Sequence, residues 1–230
     1  MGDLKVDAMG IILQSARRFG FDSLSFTGGE PTLHPEFIDI IARVFNAGYG
    51  FGFVTNGWNF KGIYEALLPY RERLSGITFS LDGARQETHD RLRGRDSYRR
   101  VMQAVSICMI KDIPFTFNTV LTSHNCGELK EVVELAEKLG SRGIRFGHLV
   151  HTPHSMAKNL ELSPEKRKEI ETRIWQLKGD MSFPIFMAAG YYTNDLFPCA
   201  PLRLEEINID WRGNLTLCCN LSGHSEGAGN

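Results

Sequence analysis

The chain carries no imbalance of charge. Its 26 basic and 27 acidic residues leave a net −1 over 230 residues, which excludes the strongly basic composition of a nucleic-acid or membrane-surface binder. No uninterrupted apolar run reaches the ~20 residues that cross a bilayer, so no membrane span is expected. Met1 to Arg18 mixes acids and bases on an amphipathic pattern. It lacks the basic, apolar and small-residue order of a secretory signal, and the expected location is the cytoplasm. Cysteine is sparse and uneven. The five residues are an odd number, which argues against a disulfide framework, and none precedes Cys108. There is no internal repeat and no low-complexity linker.

What is present is an ordinary globular composition, 42% hydrophobic and 23% charged. It suffices to bury one large core, or one core with a small appendage, without staples. Helical and strand patterns alternate. Val6, Met9, Ile12, Leu13, Ala16 and Phe19 predict a helix over 4–19, and 23–26 a short strand. Phe37, Ile40, Ile41, Val44 and Phe45 fit one helical face stopped by Gly48. Strands follow at 51–55, 76–81, 114–121 and 143–150, with a short last one at 183–188. Helices are expected around 61–69, from Asp96 or Ser97 to about Lys111, after Asn125 with Glu128 as a capping box, and from Ser163-Pro164. Alternation of this kind calls for a parallel sheet with helices outside it, and a site at the carboxyl ends of the strands. After about residue 190 the pattern changes, and 207–210 with 215–218 around Arg212-Gly213 reads as a β-hairpin.

The most informative segment is Thr27-Gly28-Gly29-Glu30-Pro31-Thr32-Leu33-His34-Pro35, directly after the first strand. Two glycines let the backbone turn tightly and approach a ligand. Exposed carbonyls beside the Glu30 carboxylate suit a cation such as an ammonium group. The segment resembles the GGEP loop of radical S-adenosylmethionine (SAM) enzymes. Thr55-Asn56-Gly57 and Ser80-Leu81-Asp82-Gly83, each at the end of a later strand, are similar to further signatures of that family. His89-Asp90-Arg91-Leu92-Arg93-Gly94, Asn118 and Asn125 also follow its pattern. Each match is short, but they occur in order, and the resemblance covers nearly the whole chain.

By that resemblance the fold is α/β, an incomplete (β/α)6 partial barrel lacking its first strand and cluster loop, with a C-terminal β-hairpin. Gly28, Gly29, Glu30 and Pro31 would hold the amino end of SAM. Thr55, Ser80, Asp82 and Asn118 would line its remaining contacts, and Arg93 would meet its carboxylate. The family's [4Fe–4S] cluster needs a Cys-x3-Cys-x2-Cys motif before the first helix, because soft thiolates suit such clusters. That motif is absent here. The expectation is a chain truncated at both ends, inactive as given; the alternative is a noncatalytic SAM-binding or protein-binding relative that has lost the motif.

Residues 1–190 are read as the partial core. Residues 191–230 resemble the start of a SPASM or twitch extension, in which Cys199 and Cys218 would help hold an auxiliary Fe–S cluster, with zinc a lesser option. Cys219 is adjacent, and consecutive strand residues face opposite ways. Cys108 reads as a buried small hydrophobe, and Cys126 is assigned no role. His148, His151 and His154 would need a bent loop to converge on a metal. The intact enzyme would cleave SAM reductively to a 5′-deoxyadenosyl radical that abstracts hydrogen. Its expected partners are a peptide or small-molecule substrate and an electron donor such as a flavodoxin or ferredoxin, with no nucleic acid and no membrane. An unrelated aldolase or isomerase barrel ranks last, since the strand ends lack the lysine or paired acids it would use.

Overall fold

The structure is a computed structural model that describes residues 3–149, 158–188 and 205–216. The chain opens with α1 (Ala8–Arg18), which buries Met9, Leu13 and Ala16. It starts later than the periodicity predicts, because residues 6–7 form a turn instead. Strand β1 (Ser23–Phe26) leads into α2 (Phe37–Asn46), whose Phe37, Ile40, Ile41 and Val44 form the expected buried stripe. Then come β2 (Gly50–Thr55), α3 (Phe60–Leu67), β3 (Leu74–Ser80), α4 (Gln86–Arg93) and α5 (Ser97–Lys111). The second half contains β4 (Phe115–Leu121), α6 (Leu129–Lys138), β5 (Ile144–His148), α7 (Pro164–Asp180) and β6 (Ile185–Met187).

These six strands form one parallel sheet in the order β1-β2-β3-β4-β5-β6. Sequential order is what a barrel wall produces; a doubly wound sheet would reverse direction partway. The predicted partial (β/α) barrel is therefore the observed architecture. Period-two alternation gives its two faces different chemistry. Phe51, Phe53, Ile77, Phe79, Phe115, Phe117, Ile144 and Phe146 are buried in the core with the helices. Edge-to-face rings join Phe37 to Phe53 and Phe60 to Phe79, with centroids 5.3 and 5.5 Å apart. The opposite, inner face carries Ser25, Gly52, Val54, Gly76, Thr78, Ser80, Thr116, Asn118, Val120, Arg145 and, on β6, Phe186 in register. Glycines and short polar side chains leave that face open.

The C-terminal hairpin is present as β7 (Asn208–Ile209) paired antiparallel with β8 (Leu215–Thr216). Its turn uses Gly213 at φ +87, and the Asp210 carboxylate accepts the N–H groups of Arg212 and Asn214 at 2.9 and 2.8 Å. Among the described residues no helix is long and apolar enough to cross a membrane.

Two local expectations are corrected. Neither Asp96 nor Ser97 caps α5 with its own side chain: Asp96 adopts a left-handed conformation, φ 66. The cap is supplied from α4, where Asp90 accepts from Asp96 N, Tyr98 N and the Ser97 hydroxyl. Burial raises the Asp90 pKa, but these hydrogen bonds outweigh it and hold the pKa below the usual range. Asn125 and Glu128 do not form a capping box either. Both side chains are drawn to the loop after β3, as described below.

Candidate active site

The carboxyl ends of β1 to β5 carry the residues singled out in the sequence. Gly28 has φ +138, a conformation that favours glycine. A Cβ placed on Gly28 or Gly29 would meet no protein atom within 4 Å. The loop backbone is thus open on that side. Pro31 starts a single 3-10 turn, Pro31–Leu33.

Glu30 is the fastener of this loop. Its Oε1 accepts from Thr32 N at 3.2 Å, Thr32 Oγ1 at 2.6 Å and Thr55 Oγ1 at 2.7 Å. Its Oε2 accepts from Asn56 N at 2.7 Å. The carboxylate therefore ties the end of β1 to the end of β2. Four donors occupy most of its lone pairs, leaving part of Oε2 and the neighbouring carbonyls for a ligand. Thr55 is also fully engaged, because its hydroxyl accepts from Gly57 N at 3.0 Å. Gly57, φ +76, turns the chain beneath α5, and a Cβ there would lie 3.1 Å from Val101 Cα.

The loop after β3 is held from three sides. Asp82 accepts from Val120 N at 2.8 Å through Oδ1 and pairs with Arg93 of α4 through Oδ2. Its own N–H donates to His89 Nδ1 at 3.1 Å. That bond requires an unprotonated Nδ1, and burial pushes the His89 pKa down to about 4. Asn125 donates to the carbonyls of Asp82 and Val120 at 3.0 and 2.8 Å and accepts from Thr122 N at 2.7 Å. Glu128 accepts from Ala84 N at 2.8 Å and from the Thr88 hydroxyl. Gly83 fits because only hydrogen fills its Cβ position, which would lie 2.8 Å from His89 N. Sequence reasoning placed His89 only within the family-like run 89–94 and read Glu128 as the partner of Asn125 in a capping box, so neither contact with the loop after β3 was foreseen.

Ser80 and Asn118 are register partners on the inner face. Neither side chain makes a hydrogen bond to another described residue, so both polar groups are available to a ligand. A cavity of about 380 Å³ is lined by Asn56, Trp58, Asp82, Leu92, Arg93, Ser97, Val120, Thr122, Leu149 and Leu160. Of the predicted site residues, Asp82 and Arg93 line it. Glu30 reaches its edge through Asn56, while Gly28, Gly29, Pro31, Thr55, Ser80 and Asn118 do not line it. Trp58 is held at its rim by Arg100, whose guanidinium lies 4.4 Å from the ring centroid.

Open loop backbone, unengaged Ser80 and Asn118, and a guanidinium on a mixed polar and apolar cavity fit an amino-acid head group with an attached apolar part. They do not supply ligands for an iron–sulfur cluster. Among the described residues no three His, Cys, Asp or Glu side chains converge. Cys108 and Cys126 are buried and free, and burial pushes the Cys108 thiol up to about 12. His148 contacts Glu171 of α7 at 3.1 Å. Burial lowers its pKa, outweighing the pull of the Glu171 carboxylate. His151, His154, Cys199, Cys218 and Cys219 lie outside the described residues.

Comparison with known proteins agrees with this geometry. The family model described as the Radical SAM superfamily matches residues 3–136. A probable GTP 3′,8-cyclase of Saccharolobus islandicus is 27% identical over 225 residues, covering 90% of this chain and 70% of the relative. Streptococcus suis SuiB, solved bound to the precursor peptide SuiA, superposes with a TM-score of 0.71 at 12% identity, over 98% of this chain and 55% of that one. Native anSMEcpe with bound AdoMet and Cp18Cys peptide gives 0.67 at 15% identity, over 98% of this chain and 68% of that one. The chain thus spans little more than half of SuiB.

Proposed function

The chain belongs to the radical SAM superfamily, and from that premise we propose that its strand-end loops hold SAM in a barrel that acts on a peptide or small-molecule substrate. When bound, SAM and a reduced [4Fe–4S] cluster supply the superfamily's chemistry, a 5′-deoxyadenosyl radical that abstracts a substrate hydrogen. The part taken by this chain is binding and placement. Gly28 and Gly29 offer carbonyls, with Glu30 and Thr55 as the brace behind them, to the amino group of the methionine. Ser80 and Asn118 offer hydrogen bonds from the inner face. Arg93, oriented by Asp82, presents its remaining N–H groups to the carboxylate. Pro31 fixes the exit of the loop.

The observation that carries this reading is the Glu30 bridge to Thr55 and Asn56. It spends a carboxylate on fixing the open Gly28-Gly29 backbone. A peptide substrate is favoured by the likeness of the fold to two structures solved with peptides. Residues 191–230 are proposed to begin a SPASM or twitch extension, with Cys199 and Cys218 toward an auxiliary Fe–S cluster.

Calorimetric titration of the purified chain with SAM tests the reading. Saturable binding is expected, weakened at least about tenfold in Glu30→Gln. No binding by the folded wild type would refute it. Because the cluster thiolates are not among these residues, anaerobic iron–sulfide reconstitution is expected to yield no 5′-deoxyadenosine, and its detection would overturn that expectation.

A further inference from the structure

The six strands of the sheet contain one Lys, Arg, Asp or Glu among all their residues, and it is Arg145. Its neighbours Ile144 and Phe146 are buried among the helices. Arg145 therefore lies on the opposite, inner face, where it is exposed. It pairs in register with Asn118, which pairs with Ser80. The row Ser80–Asn118–Arg145 crosses three adjacent strands at roughly 4.8 Å spacing. None of the three side chains makes a hydrogen bond or ion pair with another described residue. Asp82, which follows Ser80 in the loop after β3, is already committed to Arg93 and Val120.

The Arg145 guanidinium, whose other register partner is the exposed Phe186 of β6, stands on a face otherwise built of Gly, Ser, Thr, Val and Asn and presents five donors and no acceptor. Its planar fork matches a carboxylate. Arg145 stands roughly 10 Å from Ser80, two strands further round the wall from the β3 strand end. Arg93, paired with Asp82 in the loop after β3, is the guanidinium placed to meet the cofactor's own carboxylate.

We propose that Arg145 is the subsite that recognises a carboxylate of the substrate, an acidic side chain or chain terminus of a peptide. This rests on the functional reading above, and it assigns the substrate's charge.

Titration of the 15N-labelled chain with N-acetyl-glutamate amide tests it, following the Arg145 Nε–Hε signal. Saturable shifts are expected with that probe and none with the neutral N-acetyl-glutamine amide. Arg145→Gln should lose at least about tenfold in affinity. Arg145→Lys, which keeps the charge but not the fork, should fall between. Both variants should keep a dispersed spectrum, and SAM affinity in Arg145→Gln should stay within about twofold of wild type. Equal response to both probes, no response to either, or a response to pyrophosphate alone would overturn the assignment. So would loss of SAM binding in Arg145→Gln, which would make Arg145 a cofactor contact. Failure of wild-type SAM binding is a separate result and counts against the functional reading.

Discussion

Glu30 Oε2 lies 2.7 Å from the backbone nitrogen of Asn56, 26 residues along the chain, while Glu30 Oε1 is 2.7 Å from the Thr55 hydroxyl. One side chain thus spans two adjacent strand ends and holds the loop between them to the sheet. Glu30→Gln keeps one acceptor but can turn an amide N–H toward the Asn56 N–H or the Thr55 hydroxyl. A loss of about 1–3 kcal/mol is expected in chemical denaturation, alongside the weaker SAM binding. Unchanged stability would show that the brace contributes nothing.

Gly57 and Gly20 separate backbone strain from crowding. Both have positive φ, +76 and +79, but an added Cβ meets Val101 at Gly57 and open space at Gly20. Gly20→Ala is expected to cost about 1 kcal/mol. Gly57→Ala should cost distinctly more, measured by urea unfolding of the two variants side by side.

His89 makes stability depend on acid. Its folded pKa is depressed to about 4 from an ordinary 6.5. Its contribution is therefore fully present above pH ~6.5 and is lost as the pH falls toward 4, because the unfolded state then binds the proton more readily. The loss amounts to roughly 3 kcal/mol. Comparing the pH dependence of the midpoint in wild type and His89→Gln isolates it from the carboxylates. A wild-type curve between pH 4 and 6.5 no steeper than the variant's would contradict the buried neutral imidazole.

Asn125→Ala would leave the Asp82 and Val120 carbonyls and the Thr122 N–H without their partner in a buried setting. A destabilisation of about 3 kcal/mol is expected from denaturant titration. SAM binding should weaken as well, since the loop carrying Asp82 loses its anchor.

Cys108 is fully buried in α5, with its thiol pushed up to about 12. Iodoacetamide at pH 8 should leave it unmodified in the folded chain and alkylate it in denaturant, read by peptide mass spectrometry. Rapid native labelling would contradict its burial.

Several features were legible from residue order alone. Phe-rich alternation in 51–55 and 115–121 and the stripe from Phe37 to Val44 mark strands and a helix through local period, and together they imply the parallel α/β wall. The Gly28-Gly29-Glu30-Pro31 and Ser80-Leu81-Asp82-Gly83 positions mark strand ends, since glycine and short polar residues gather where the chain turns. What only the tertiary structure decided is which of these groups are spent on one another. Glu30 on Thr55 and Asn56, Asp82 on Arg93 and His89, and Asp90 at the start of α5 are contacts between distant segments, and no local period encodes them. The same holds for Arg145. In sequence it is one basic residue of 26, and only strand register places it alone on the inner wall, because facing is fixed by which residues pair across strands.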